Sequence, residues 1–550
     1  MFEKFRLALD KDLTMANVHD KIYRAYGGRE SAILDDEMNY RMFTGKVMSY
    51  RTGFWFVNRI CNALKAIGVK RGDRVAICTT NKVDLPLTLF AAMRIGAVAV
   101  PINWQLKQEE LAYILDNCGA KYFVVDREVF EKSVQDQKAF PGVDKWVMTG
   151  PAEECLSGFL SLDLLTEEAS EQTEPAVISP KDGVAIFYTS GTTGFPKGAL
   201  MSSNALLTGQ KMAAALLPTN SRKDFGVLCL PISHIMGFCT SLMGMLAGVR
   251  GLFMSKFDPK RVLDALDKYH ATFFVGVPAM YAMMLAEGID KYSLASMKVW
   301  CSAADAMPQD HIDIFRKRGG LVHFFGHPVG SALFVEAYGM VELAGISMIK
   351  FDFPLLNLAK GCVGVPVYPF RVKVVKEDGV KAAPNQVGEI WIRGPGVTNG
   401  YYNNPDASRE LIKDGWLNTG DMGKKNRLGL IYFVDRKKDV IKSGGYSIFS
   451  VEVEHKMIEH PKIARAVVFG VPHSTKKEVP VAVVALKPGM EATVPELMDW
   501  AHKHMANYKA PRALKIVEES DISMGMTMKV LKKDLRLKYQ DELSAMLAKA

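Results

Sequence analysis

Residues 188–198 read YTSGTTGFPKG, Tyr188 to Gly198, directly after the apolar run VAIF. Glycines, hydroxyl side chains and a lysine collected at the end of a strand raise the question of a phosphate-binding loop. The P-loop pattern G-x-x-x-x-G-K-[ST], counted from Gly191, needs a second glycine where Pro196 stands and a serine or threonine where Gly198 stands. A proline has no N–H and fixes its own φ, so it removes a donor from the amide cradle on which such a loop depends. A P-loop is therefore excluded. The hydroxyls of Thr189, Ser190, Thr192 and Thr193, the amides of Gly191 and Gly194, and the ammonium of Lys197 remain as groups that would surround an anion. The competing reading is a solvated turn after a buried strand.

The strand before this loop is one of many. From Phe54 onward, helical runs (FVNRICNALKAIG, LPLTLFAAMRIG) alternate with short apolar strands (RVAIC, AVAVPI, KYFVVD, KWVMTG, GVAIFYTS, ATFFVGVP, MKVWCSA). Such α/β alternation predicts largely parallel sheets with crossover helices, whose ligands bind at the carboxyl ends of the strands. After about Val363 the texture changes to alternating strands, RVKVVKEDG, VGEIWIRG and LGLIYFVD, which predict a β-rich subdomain. The charged connector DRKKD, Asp435 to Asp439, precedes a smaller α+β region. The expected division is 1–435 and 436–550.

With 550 residues the chain exceeds what one core holds, and its 48% hydrophobic and 23% charged residues are those of a globular protein. A net charge of +9 suits polyanionic small ligands; zinc-finger spacing, RNP-like motifs and long basic runs are absent, so nucleic acid is not an expected partner. Eight cysteines without a C-x-x-C pair fit reduced thiols. The first residues lack a signal-peptide core and the last residues, LAKA, are not the SKL peroxisomal address, so the expected location is the cytoplasm. Val227 to Val249 is uncharged apart from His234, but Pro231 and its glycines favour a buried loop and helix over a membrane span. Peripheral membrane contact and a homodimer are left open.

In order along the chain, YTSGTTGFPKG, LPISH, YGMVE, GEIWIRGPGVTNGYYNNP, WLNTGD, DRKKDVIKSGG and NYKAPR resemble the signature series of the AMP-forming adenylating enzymes, the superfamily of acyl-CoA synthetases, luciferases and peptide-synthetase adenylation domains. The resemblance covers essentially the whole chain. It implies a large N-terminal domain of stacked α/β subdomains with a β-rich subdomain, followed by a small, mobile α+β domain. It also implies ATP, Mg²⁺ and coenzyme A as cofactors and a small carboxylic acid as substrate. In the family reaction the carboxylate attacks the α-phosphorus of ATP, and a thiol then displaces AMP.

What the resemblance implies for single residues follows. The Thr189 to Lys197 loop grips the outer phosphates. Tyr338 stacks on adenine, an aromatic face being a tolerant platform for a base, with Gly339, Met340 and Val341 beside it. Glu342 holds Mg²⁺. Val341 stands where the family usually has threonine, which puts a hydroxyl contact to the phosphates in doubt. Asp421 offers two acceptors to the ribose diol, and Phe433 and Arg436 complete that side. Ala303, Ala304 and Asp305 occupy the place of a Gly-rich loop against adenine, with Ser302, His234, Val277 and Tyr281 as acyl-pocket residues. Lys529 is the catalytic lysine, with Met528 and Lys532 replacing the family's glycine and arginine. Lys438 is the hinge, and Lys442, Ser443, Gly444 and Gly445 face the CoA channel. An acyl-adenylate enzyme with another acceptor, and a degenerate acyl- or nucleotide-binding protein, remain as alternatives.

Overall fold

Strands covered by helices on both faces read as unbroken apolar runs, and RVAIC is such a run: Val75 to Cys78 are completely buried. The computed structural model describes all residues except 1, 190–195, 325–326, 353–360, 525–529 and 550, and no side chain at 323, 324, 327, 548 and 549. The chain divides into two compact units: Met1–Leu358 with Pro366–Arg371 and Arg393–Leu417, and Ala359–Val365 with Val372–Ile392 and Asn418–Ala550.

The first unit is built on two sheets. One runs in the order Leu160–Ser161, Lys145–Met148, Tyr122–Val125, Arg74–Cys78, Val98–Pro101, Gly183–Thr189, Lys197–Ser202. It is parallel except for its last pair, the hairpin that carries the opening motif. The other runs from Gly345–Asp352 through Leu333–Met340, Val299–Ala303, Phe273–Gly276, Phe225–Leu228, Arg250–Phe253 and Glu30–Tyr40 to Phe43–Ser49. Parallel pairing at its centre gives way to antiparallel pairs at both ends. An apolar cluster that includes Val75 and Ile77 of one sheet, Leu34 and Phe253 of the other, and Phe238 and Leu242 of the helix Ile235–Ala247 joins the two. That helix, 13 residues long, is what Val227 to Val249 becomes, and no helix among the described residues is long and apolar enough to cross a membrane.

In the second unit, Arg371–Val375, Val387–Arg393, Trp416–Lys425 and Ile431–Arg436 pair in that order. A further sheet of Tyr446–Ile448, Ile441–Ser443, Lys477–Leu486, Ile463–His473 and Leu514–Val517 carries the helices Ser450–Ile458, Val494–His504 and Lys532–Lys549. The period of two along Ile463–His473 sends Ala466 and Val468 into one core and Val467, Phe469 and Val471 into another, so both faces are covered. Residues 372–392 thus group with the C-terminal part, because Val387–Arg393 pairs with Trp416–Lys425, which pairs in turn with Ile431–Arg436. The expected division at 435/436 was read from the charged connector Asp435–Asp439, and the grouping by compactness draws its line elsewhere. The architecture is mixed α/β, with a large N-terminal and a small C-terminal domain.

Candidate active site

In the first unit the opening motif is a hairpin whose two rims are Thr189 and Lys197, paired directly across the ladder. Thr189 Oγ1 donates to the Lys197 carbonyl at 3.4 Å. Ser190, Gly191, Thr192, Thr193 and Gly194 lie outside the described residues. A Cβ at Gly198 would stand 2.7 Å from the Ile186 side chain, so only glycine lets the return strand lie against its partner.

Residues 398–402, the TNGYY of the motif GEIWIRGPGVTNGYYNNP, lie along this return strand. Asn399 N donates to the Leu200 carbonyl (2.9 Å), Leu200 N to the Gly400 carbonyl (2.9 Å), and Tyr402 N to the Gly198 carbonyl (2.7 Å). This backbone pairing brings the Tyr401 ring under the Lys197 ammonium, 5.3 Å from the ring centroid. The same tyrosine donates its hydroxyl to Glu342 Oε1 at 2.7 Å. The Thr398 amide donates to the Glu342 carbonyl at 2.9 Å, fixing the residue from the backbone side as well. Sequence reasoning missed Tyr401, although GYYNNP had been singled out; the signal was the motif, but its use depends on pairing with residues 198–200.

Glu342 is 5% exposed and sits in the single turn Val341–Leu343 that ends the strand Leu333–Met340. The chain turns there through Ala344 at φ 51° and Gly345 at φ 97° and returns as Gly345–Asp352. At Gly339 the returning backbone comes so near that a Cβ would stand 1.8 Å from the Gly345 carbonyl oxygen. The pairing slips between Tyr338 and Gly339 at that contact. Met340 precedes the turn, and Val341 packs its half-buried side chain on the apolar core. Among the described residues no three His, Cys, Asp or Glu side chains are grouped as a metal cage. A single buried carboxylate fits a hard cation that takes its other ligands from phosphate oxygens and water.

Ala303 ends the strand beside Ala337, and Ser302 faces Glu336 across the same pair. Ser302 Oγ, in a residue 1% exposed, has no hydrogen-bond partner among the described residues. Ala304 is exposed with φ 77°, and Asp305 Oδ1 accepts from the Ala306 amide. Of the expected acyl-pocket residues, Val277 precedes the helix Pro278–Glu287 and is 2% exposed. Tyr281 is fully buried among Phe274, Trp300, Phe315 and Phe334 and donates to the Cys301 carbonyl at 2.7 Å. His234 accepts the Met236 amide on Nδ1 and so caps the helix Ile235–Ala247; burial lowers its pKa to about 4, leaving a neutral imidazole.

In the second unit Asp421 and Arg436 face each other in adjacent strands, Nε to Oδ1 3.9 Å, and Phe433 lies opposite Gly423 on the same pair. Lys438 is exposed in the turn Lys437–Asp439. Lys442 reaches Ser447 Oγ (2.9 Å) and Glu377 (3.3 Å), while Ser443 is buried. Gly444 at φ 54° and Gly445 at φ 87° make the two-residue turn between Ser443 and Tyr446, with both residues in the left-handed region that such a hairpin demands. Lys529 lies outside the described residues. Lys532, three positions on, is engaged elsewhere: its ammonium donates to Ser450 Oγ at 2.6 Å and pairs with Glu454 at 2.7 Å. Ser450 Oγ in turn donates to the buried Asp435.

Comparison with known proteins gives a consistent picture. The family model described as AMP-binding enzyme matches residues 28–402, and that described as AMP-binding enzyme C-terminal domain matches residues 452–523. A 2-succinylbenzoate–CoA ligase of Bacillus thuringiensis subsp. konkukian (strain 97-27) is 30% identical, over 87% of this chain and 90% of its own length. A long-chain-fatty-acid–CoA ligase of Bacillus subtilis (strain 168) is 29% identical, over 87% of this chain and 88% of its own. Among solved structures, ATP-bound MatB from Rhodopseudomonas palustris superposes with a TM-score of 0.82 at 25% identity, covering 96% of this chain and all of that one (100%).

Proposed function

Because this chain belongs to the AMP-binding enzyme family, we propose that it joins a carboxylic acid to coenzyme A in two steps, through an acyl-adenylate. Its class is that of an AMP-forming acid–thiol ligase acting on acyl or aryl acids. The observation that carries the finer reading is the trio Lys197, Tyr401 and Glu342: a phosphate-seeking cation and a buried carboxylate held by one ring.

In the first half-reaction, Lys197 and the hydroxyl-rich loop from Thr189 hold the β- and γ-phosphates, and Tyr338 supports adenine. Glu342 would hold Mg²⁺, which when bound neutralises phosphate charge. Asp421 accepts from the ribose hydroxyls, with Arg436 beside it. Lys529 places one cation between the substrate carboxylate and the α-phosphate, offsetting their repulsion as the P–O bond forms and diphosphate leaves. The engagement of Lys532 with Ser450 and Glu454 supports Lys529 as the lysine used. In the second half-reaction the part after residue 435 turns about Lys438, Lys529 withdraws, and the Gly444–Gly445 turn admits the narrow thiol arm of CoA. The acid is fatty, branched, alicyclic or aromatic, supported by the apolar residues around Val277. Eight cysteines outside any disulfide among the described residues, seven of them buried, suit work in the cytoplasm.

Lys529→Ala tests the division of labour. Adenylate formation, followed as acid-dependent exchange of diphosphate into ATP, should fall by at least about 100-fold. Thioester formation from supplied acyl-adenylate should stay within a few-fold of the wild type. Equal loss of both steps would remove Lys529 from its role.

A further inference from the structure

Tyr401 is tied to both charged groups of the first unit's half-site. Its hydroxyl donates to Glu342 Oε1 at 2.7 Å, and its ring lies under the Lys197 ammonium at 5.3 Å. The residue is held in turn by backbone on both sides: its own amide donates to Ser408 Oγ at 2.8 Å, and the next amide donates to the Gly198 carbonyl at 2.7 Å. Gly400, at φ 116°, sets the approach, since a Cβ there would stand 2.9 Å from Ser408 Oγ. The ring therefore has one orientation, with an edge to the carboxylate and a face to the lysine.

A hydroxyl hydrogen-bonded to a ligating carboxylate fixes which way that carboxylate points, and such outer partners are worth 10- to 100-fold in metal affinity, in order of magnitude. A carboxylate has about four lone-pair positions, so one accepted O–H does not use up its capacity for a cation. The half-buried ring face also gives Lys197 a resting place by cation–π attraction, which keeps the ammonium from closing onto Glu342 itself. A direct Lys197–Glu342 ion pair would neutralise both groups before any nucleotide arrived.

We propose that Tyr401 is a positioning residue that orients the Glu342 carboxylate toward the nucleotide-bound cation while holding Lys197 apart from it. This rests on the reading of Glu342 as the cation's protein ligand. Tyr401→Phe keeps the ring under Lys197 and removes only the hydroxyl; Glu342→Ala removes the carboxylate. The probe is Mn²⁺ in the presence of α,β-methylene-ATP, with binding read by water-proton relaxation and folding checked by thermal melting. The expected result is about tenfold weaker Mn²⁺ binding in Tyr401→Phe, unchanged binding of the metal-free nucleotide analogue, and a larger loss of Mn²⁺ affinity in Glu342→Ala. Wild-type Mn²⁺ affinity in Tyr401→Phe with a loss in Glu342→Ala overturns the role of Tyr401 alone. Wild-type affinity in both variants overturns the reading of Glu342 as well.

Discussion

Ala304 holds a φ of 77° in the loop that follows the strand Val299–Ala303. A side chain in the left-handed region costs roughly 1–2 kcal/mol, and a glycine there would be relieved of it. Gly339 is the opposite case: added methyl and Gly345 carbonyl would be 1.8 Å apart, and backbone cannot yield as a flexible side chain can. Ala304→Gly should therefore leave the melting temperature equal or slightly raised, the greater freedom of the unfolded chain offsetting part of the gain. Gly339→Ala should cost roughly 3 kcal/mol or more, read as a lowered melting temperature together with loss of adenylation. A neutral Gly339→Ala would mean that the turn before Glu342 is looser than it stands. Both positions were legible as a motif, Gly339 within YGMVE and Ala304 as an alanine in a place that favours glycine. Tyr401 was not. Two tyrosines in a polar loop give no sign of which one turns inward, because that is decided by pairing with residues 198–200, some two hundred positions earlier.

Among the elements, the parallel strands were the most readable, since burial on both faces forces continuous apolar runs such as RVAIC and YFVV. The strand carrying Asp421 was harder. Trp416–Lys425 buries only a few of its residues and owes its place to Ile431–Arg436 and Val387–Arg393, which no local period reveals. In the middle of the helix Ser450–Ile458, burial pushes Glu454 up to about 7, with Lys532 opposing and the nearby Asp435 reinforcing the shift; its Oε1 also accepts the Val468 amide. A carboxyl raised in this way stabilises the fold fully below its ordinary value of 4.5, and that contribution is lost as pH rises through about 7. The loss amounts to as much as roughly 3 kcal/mol. Unfolding free energy measured from pH 5 to 8 should fall in the wild type and be flatter in Glu454→Gln. Parallel curves would show that Glu454 stays ionised across the range and that its pair with Lys532 outweighs burial.

At the scale of the whole molecule, nearly all of the excess positive charge falls in the second unit. Fields of that sign attract a polyanion and favour its capture over that of a neutral acceptor. The first unit is close to balanced. The chain's composition gave only the total, and the asymmetry follows from dividing it between the two units, residues 418–550 carrying most of the excess. The most direct test is product identity: purified enzyme with ATP labelled at the α-phosphate, Mg²⁺, a panel of fatty, branched, alicyclic and aromatic acids, and CoA present or withheld. At least one acid should give AMP, diphosphate and the acyl-CoA in equal amounts, with turnover stopping when CoA is left out. Release of ADP in place of AMP, or AMP with no thioester at any acid, would contradict a carboxylate–CoA ligase.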